Sequence, residues 1–198
     1  MRGYRVRPEC ELHSRVRFSA RRVAARRALA YTGAMAAWRA MTAADLDAVR
    51  AVAARVHPDY PEDAAVFAER LALHPEGCRV LDDAGAVVGY LIGHPWRERE
   101  PPKLNARLGA LPAGPTTYYI HDVAILPEHR GAGHARDIVA RCVARAREEG
   151  FASVSLVAVN ASARFWEGLG FRRVADPALD AALKSYDADA CLMVRKLA

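Results

Sequence analysis

The chain has 198 residues, of which 52% are hydrophobic and 8% aromatic, a composition typical of one globular domain with a sizeable core. No apolar run approaches the roughly 20 residues that a membrane-spanning helix needs, so a membrane protein is not expected. The four cysteines are far apart and have no metal-ligand spacing, which predicts reduced thiols in a cytoplasmic protein that binds no metal.

The positive charge is concentrated in the first 34 residues. They carry nine arginines and two glutamates, a surplus of seven where the whole chain has +6, so residues 35–198 have a net charge of −1. A nucleic-acid-binding domain carries its basic residues on the folded surface, so nucleic acid is not the expected partner. We therefore predict an Arg-rich extension over residues 1–34 and one domain over residues 35–198.

The Arg- and Ala-rich composition of this extension is typical of translated GC-rich codons. It favours an over-extended start, with Met35 or Met41 as the native one, over a genuine basic arm with a helix at residues 19–30. A third hypothesis is that the arm associates with nucleic acid. Binding would then depend steeply on salt and would be lost when the arm is removed.

The first elements of the domain are a strand and two helices. A short strand over residues 38–41 precedes a helix that begins with the capping-box spacing of Thr42 and Asp45 and ends at His57-Pro58. A second helix is predicted to begin at Pro61, with two acidic residues in its first turn.

A hairpin and a long loop come next. Residues 78–81 and 86–92 flank an Asp/Gly turn, which predicts an antiparallel hairpin. Residues 94–115 are rich in Pro, Gly and charge, and loops of that length in a compact domain are usually functional or mobile. We expect this loop to shape a substrate site.

The second half of the domain alternates strands and helices. Residues 116–126 predict a strong strand, and after a Gly-rich turn a helix is expected from His134 to about Glu149. Residues 153–159 form a continuous apolar run, the pattern of a central strand covered on both faces. A short helix over 160–169, a strand from Gly170 and a last strand over 191–196 complete the prediction.

The most informative segment is YYIHDVAILPEHRGAGHA, residues 118–135, in which a strand enters a Gly-rich turn that opens into a helix. Backbone N–H groups at the start of a helix bind phosphate oxygens, and glycine permits the backbone conformation that this needs. The alternative is a turn whose glycines serve only the bend. An ATP-type phosphate loop would need Gly-Lys-Ser/Thr, and a dinucleotide fold would need an acidic residue on the next strand; the sequence has neither.

This segment resembles the acetyl-CoA signature of the GNAT superfamily, Arg/Gln-x-x-Gly-x-Gly/Ala, at residues 130–135 (RGAGHA). A second match follows in the family's order, with Asn160 and Ala163, the pair Phe165-Trp166, and Gly170-Phe171. The resemblance implies an α/β (α+β) fold of the GNAT type. That fold is a mixed, mostly antiparallel sheet of about six to seven strands, splayed between the fourth and fifth, with helices on both faces.

The resemblance also implies an acetyl-CoA-dependent N-acetyltransferase that moves the acetyl group directly to an amine in a ternary complex. Backbone groups of Val123, Ala124 and Ile125 are then expected to bind pantetheine and the thioester oxygen. The pyrophosphate is expected on the loop of Arg130, Gly131, Ala132, Gly133, His134 and Ala135. The pantetheine arm is expected to be flanked by Asn160, Ala163, Phe165 and Trp166.

An amine is protonated near neutral pH, so a base must remove a proton before the amine attacks. His121 is the predicted base, because arylalkylamine N-acetyltransferases also have a His at that strand position; the alternative is a hydrogen-bonded structural His. Strand alternation predicts Asp122 on the opposite face, whereas Tyr119 shares the face of His121 and is expected to line the acceptor pocket.

The long loop supplies the other acceptor candidates. Trp96 is expected to contact the acceptor, and Glu98 or Glu100 could attract a cationic amine, the alternative being a solvated charged face. The family's usual Tyr, which protonates the departing CoA thiolate, is replaced by Trp166, whose indole N–H is far too weak an acid. Tyr186 is a candidate substitute, although a packing role is the stronger reading of that residue; water or an unprotonated leaving group are the alternatives.

A small-molecule amine is the preferred acceptor, and a protein lysine or N-terminal amine is the nearest alternative. A regulatory module that binds acetyl-CoA without turnover is a further alternative, which Trp166 favours and His121 opposes. The resemblance also leaves open a homodimer formed through C-terminal strands.

Overall fold

The computed structural model describes residues 36–183 and 187–197. The predicted extension over residues 1–34 and the candidate Tyr186 therefore lie outside the described residues. Strand β1 (Ala37–Ala40) precedes Met41, whose side chain is buried, so the sheet includes residues upstream of that methionine.

The described residues form one seven-stranded sheet in the order β1-β2-β3-β4-β5-β7-β6. Every neighbouring pair is antiparallel except β4 and β5, which are parallel. This arrangement confirms the predicted fold class. The remaining strands are β2 (Cys78–Asp83), β3 (Ala86–Trp96), β4 (Thr117–Ile125), β5 (Ser153–Ala158), β6 (Arg172–Arg173) and β7 (Cys191–Lys196).

Five α-helices cover both faces of the sheet within the described residues: α1 (Leu46–Val56), α2 (Ala64–Leu73), α3 (His134–Glu148), α4 (Ala163–Glu167) and α5 (Pro177–Leu183). Apolar residues of α1 and α2 pack with Tyr90 and Ala124 on one face. The apolar stripe of α3 packs with Ile120 and Leu156 on the other. None of the helices in the described part of the chain is long and apolar enough to cross a membrane.

The boundary of α2 differs from the prediction in a way that matters for the site. The helix begins at Ala64 instead of Pro61, because Asp63 keeps an extended backbone and its N–H is bound by the side chain of Asn105 at 2.7 Å. Glu62 therefore precedes the helix, and its carboxylate can turn toward the sheet.

The start of the long loop was also predicted wrongly. Residues 94–96 continue β3, pairing with Tyr119, Tyr118 and Thr117 of β4. The loop therefore begins after Trp96. By contrast, the capping box is confirmed, since Asp45 accepts hydrogen bonds from both the N–H and the hydroxyl of Thr42 at 2.8 Å.

Two irregularities in β4 shape the centre of the sheet. Strands β4 and β5 pair only at Tyr118–Val154 and Tyr119–Ser155 and diverge beyond that point, as the fold class predicted. In the pairing with β3, Ile92 faces Asp122 and Gly93 faces Ile120, which leaves His121 as the extra residue of a β-bulge. The bulge lies beside the opening of the splay.

Candidate active site

The diverging ends of β4 and β5 enclose a cleft of about 830 Å³. Its walls come from the end of α1, from β4, from the start of α3 and from the segment between β5 and α4. Most of the sequence-predicted site residues line it: His121, Val123, Ile125, Arg130, Gly131, Gly133, His134, Ala135, Asn160, Phe165 and Trp166.

The open edge of β4 is formed by alternate residues. Ala124 directs its backbone toward β3, since its carbonyl oxygen would lie 2.8 Å from a Cβ on Gly89, and the N–H of Leu126 donates to Val88. Strand alternation then turns the backbone groups of Val123 and Ile125 toward the cleft. Of the three residues expected to bind pantetheine, Val123 and Ile125 therefore direct backbone groups toward the cleft and Ala124 does not. The side chain of Ala124 is buried on the α1 face.

The start of α3 presents unpaired amides to the cleft. The first intrahelical bond of α3 runs from Asp137 to Gly133, so the N–H groups before Asp137 have no intrahelical acceptor. Gly131 and Gly133 have φ values of +87° and +86°, which glycine adopts without strain. Apart from the residues next to each glycine in the sequence, no heavy atom lies within 4 Å of the position that a Cβ would take there, so there is room for a ligand.

A cation stands at the same end of the cleft. The Nε of Arg130 donates to the carbonyl of Ile125 at 2.8 Å, which ties the guanidinium to the end of β4. The indole N–H of Trp38 donates to the carbonyl of His134 at 3.1 Å and anchors the first turn of α3. Ala132 does not line the cleft. This end suits a diphosphate, which needs amide donors and positive charge.

The opposite wall is aromatic. Trp166 is 6% exposed, and its ring packs between Phe165 and Phe171 at centroid distances of 5.1 and 5.4 Å. Asn160 has a left-handed backbone with φ of +53°, and its N–H donates to Asp187 at 2.8 Å. Ala163 packs against the α3-side core and does not line the cleft.

The β-bulge places His121 and Asp122 on the same face of the sheet, so the prediction that they face opposite sides is wrong. Ile120 and Val123 both pack on the α3 side. The two residues between them point to the α1 and α2 side, because the extra residue of the bulge resets the alternation. The sequence pattern contains no sign of this reset.

His121 pairs with a residue that the sequence analysis had assigned to a helix turn. Its Nε2 lies 3.3 Å from the carboxylate of Glu62, and the two side chains are 9% and 7% exposed. The ring of His121 also lies beside Tyr119 and His94, at 6.3 and 5.9 Å. Burial, with a smaller effect of His121, lowers the pKa of His94 to about 3, so His94 stays neutral.

A second imidazole–carboxylate pair lies next to the first. The Nε2 of His57 is 3.1 Å from Oδ1 of Asp122, and the hydroxyl of Tyr90 donates a short hydrogen bond to Oδ2. Burial works to lower the pKa of His57, but the contact with Asp122 outweighs it and the pKa is raised. Burial likewise works to raise the pKa of Asp122, and its contact with His57 lowers it.

A smaller cavity of about 100 Å³ adjoins the cleft at these two pairs. Five residues line both spaces: His57, His121, Asp122, Val157 and Val159. The other walls of the smaller cavity are the predicted Tyr119 and residues that the sequence analysis had not assigned to a site: Tyr60, Glu62, Pro102, Lys103 and Leu104. The loop after β3 thus forms one wall of this cavity through residues 102–104.

Other loop residues that were expected at the acceptor site lie elsewhere. Glu98 pairs with Lys196 at 2.9 Å and accepts from Ser153, and Glu100 pairs with Arg97. The indole N–H of Trp96 donates to the carbonyl of Glu100 at 2.6 Å, and Trp96 lines neither cavity. The acidic groups of the smaller cavity are instead Glu62 and Asp122, and the position of Glu62 depends on contacts far away in sequence.

A profile of the acetyltransferase (GNAT) family matches residues 38–171 of this chain. No curated protein sequence matches this chain. Among solved structures, Ard1 from Thermoplasma volcanium has 20% identity and a TM-score of 0.64, over 82% of this chain and 98% of its own. The ribosomal-protein-S18-alanine N-acetyltransferase from Escherichia coli has 17% identity and a TM-score of 0.59, over 83% and 95%.

A third similar structure is GphF, a GNAT-like decarboxylase in complex with isobutyryl-CoA, with 19% identity and a TM-score of 0.68 over 82% of this chain and all of its own. At these identities the structures establish the fold and not the substrate. The profile match extends from β1 to the end of the second motif and includes both halves of the cleft. On that match, the chain belongs to the acetyltransferase (GNAT) family.

Proposed function

We propose that this protein transfers the acetyl group of acetyl-CoA to a primary amine of a small molecule, directly and within a ternary complex. The observation that carries the proposal is the meeting of two cavities at the β4 bulge. One is long, with an amide-rich end; the other is small, with paired acid–base groups. Two substrates that enter from opposite sides would meet beside His121 and Asp122.

The larger cleft fits acetyl-CoA by its own chemistry. The amides before Asp137 and the guanidinium of Arg130 suit the pyrophosphate. At the edge of β4 the carbonyl of Ile125 accepts from Arg130 and that of Val123 contacts His57, so the N–H groups of these two residues are the ones proposed to pair with pantetheine, as an added strand would. A backbone N–H aimed at the thioester oxygen is worth about 3 kcal/mol in other acyl-transfer enzymes. Val123 is in the position to provide it, one residue beyond the acid–base groups.

His121 is the proposed base for the acceptor. It lies between the two cavities, and Glu62 holds one of its ring nitrogens, which fixes the orientation of the ring. General bases placed in this way contribute about 10²- to 10⁴-fold to a rate. His94 cannot serve, because its lowered pKa leaves it too weak a base near neutral pH.

The small volume of the second cavity, about 100 Å³, supports a small acceptor over a protein chain. Residues 102–104 form one of its walls, and their loop is tied down by Asn105, which bonds Glu62 and Asp63, and by Glu69, which accepts from the N–H groups of Leu108 and Gly109. An extended peptide would have to displace this loop. The Lys103 side chain and the exposed Leu104 stand at the rim.

Calorimetry with CoA and with acetyl-CoA, followed by thiol-release assays on panels of amines and of peptides, tests the proposal. We expect both CoA species to bind and small amines to release CoA faster than peptides do. Absence of CoA binding would refute the proposal altogether. Binding with neither amine- nor peptide-dependent release would favour the non-catalytic module that Trp166 suggests, and faster release by peptides would favour a protein acceptor.

A further inference from the structure

Acyl transfer from a thioester leaves a thiolate, whose departure a positioned proton donor would favour, and Trp166 cannot donate that proton. Titratable side chains of the described residues line the cleft in two groups. His129, His134 and two arginines stand at the phosphate end. His57, Asp59, His121 and Asp122 stand at the other end, where the acetyl group would lie.

His57 has the surroundings of a positioned proton donor. Its buried Nε2 lies 3.1 Å from Oδ1 of Asp122, at ion-pair distance but without an aligned hydrogen bond, and Asp122 is itself fixed from the other side by the buried hydroxyl of Tyr90. The backbone carbonyl of Val123 also contacts the ring. The imidazole is thereby held at the open edge of β4, where the thioester is proposed to bind, and it lines both cavities.

We propose that His57 protonates the departing CoA sulfur, with Asp122 as its positioning residue. This inference rests on the proposed acetyl transfer. His121 and Glu62 already account for the acceptor side, so each imidazole–carboxylate pair serves one substrate. The bulge at His121 is what brings the two pairs together, because it turns two consecutive side chains to one face.

The protons and electrons balance as follows. The acceptor arrives as an ammonium ion, and one proton passes to His121 and then to solvent. The free amine forms the C–N bond; as the C–S bond breaks, its electron pair moves to sulfur, which takes a proton from His57. The second proton of the nitrogen returns to His57. The products are the amide, the CoA thiol and one proton in solvent.

The donor must be protonated, so kcat should fall as the pH rises through the pKa of His57. The groups that face this imidazole are Asp122 and His121 from β4, Arg130 from the turn before α3, and Asp59 from the segment after α1 that also contains His57. Burial and Arg130 lower the pKa of His57, Asp122 and the backbone of Val123 raise it, and the net shift is upward. A basic limb of kcat at a pH above the ordinary pKa of a histidine is therefore expected.

Three variants test the role of His57 with the best amine found in the panel. His57→Gln and Asp122→Asn are expected to lower kcat by about 100-fold or more while leaving the Kd of acetyl-CoA unchanged. His57→Gln should also lose the basic limb of the pH profile. Asp47→Asn is the matched control, because Asp47 is on the outer face of α1 with its side chain 98% exposed, and it should behave as wild type.

Added imidazole separates proton donation from packing. His57→Gly should be slow, and imidazole in the buffer should restore release of CoA together with acetylated amine, since the cleft gives small molecules access to this position. The inference is overturned if His57→Gln keeps the wild-type kcat and basic limb, or if imidazole rescues nothing. A wild-type protein that binds acetyl-CoA but acetylates no amine overturns the proposed function and this inference with it.

Discussion

Replacement of Gly133 by alanine tests whether the start of α3 is an anion cradle. Gly133 has a φ of +86°, and a side chain in the left-handed region costs about 1–2 kcal/mol. The new Cβ would meet no other residue within 4 Å, so this backbone cost is the whole effect on the folded protein. For a domain of this size it corresponds to a fall in Tm of about 2–4 °C per kcal/mol.

The effect on ligand binding should be larger than the effect on folding alone suggests. The Cβ would occupy the open space that we assign to a phosphate, and relief of the backbone strain would turn the amides of α3 away from it. A hydrogen bond to a charged group is worth about 1.5–3 kcal/mol. Loss of one such bond predicts a CoA affinity at least about tenfold weaker.

Gly85 provides the matched control. It has a φ of +90° in the β2–β3 turn, and a Cβ there would likewise meet nothing within 4 Å. Gly85→Ala and Gly133→Ala should therefore lose similar stability in urea or thermal unfolding. Calorimetric titration with CoA should detect weaker binding only for Gly133→Ala. Equal CoA affinity in the two variants would refute the cradle, whatever happens to their stability.

His121→Gln should lower kcat by about 10²- to 10⁴-fold at saturating amine with little change in the Kd of acetyl-CoA, and an unchanged kcat would remove His121 as the base. Trp166→Phe should weaken acetyl-CoA binding more than it slows turnover, because the ring packs in the cleft wall; a collapse of turnover with normal affinity would contradict this. Asp45→Asn should destabilise the fold by about 1–2 kcal/mol near neutral pH, measured by urea unfolding. The hydrogen bond from Arg39 lowers the pKa of Asp45, so this stabilisation is fully present above the unfolded pKa of roughly 4 and is lost only as the pH falls toward the folded pKa; the difference in stability between the two proteins should begin to narrow below about pH 4.

Local patterns were sufficient for the cofactor half of the site. The strand, the glycine turn and the helix at residues 118–135 are consecutive, so the direction of the amides follows from sequence order alone. The family resemblance of the second motif implied that Phe165 and Trp166 flank the cofactor, and both residues line the cleft. Such features can be predicted from sequence because they depend only on residues that are close together along the chain.

The acid–base half depended on the tertiary structure. His121 and Glu62 are 59 residues apart, and they meet because Asn105 holds the residues before α2 in an extended conformation. Asp122 was assigned to the wrong face because side-chain alternation holds only along a regular strand, and the bulge exists only in the pairing of β4 with β3. His57 looked like a helix end and became part of the site through Asp122.

The sequence by itself determined the family, the order of the elements and the glycine-rich turn before α3. These are encoded by periodicity and by residues close together along the chain. Only the tertiary structure decided which backbone groups of β4 face the cleft, which carboxylates lie beside His57 and His121, and which loop lines the smaller cavity. Those features arise where distant segments come into contact, and one inserted residue in a strand changes which side chains meet.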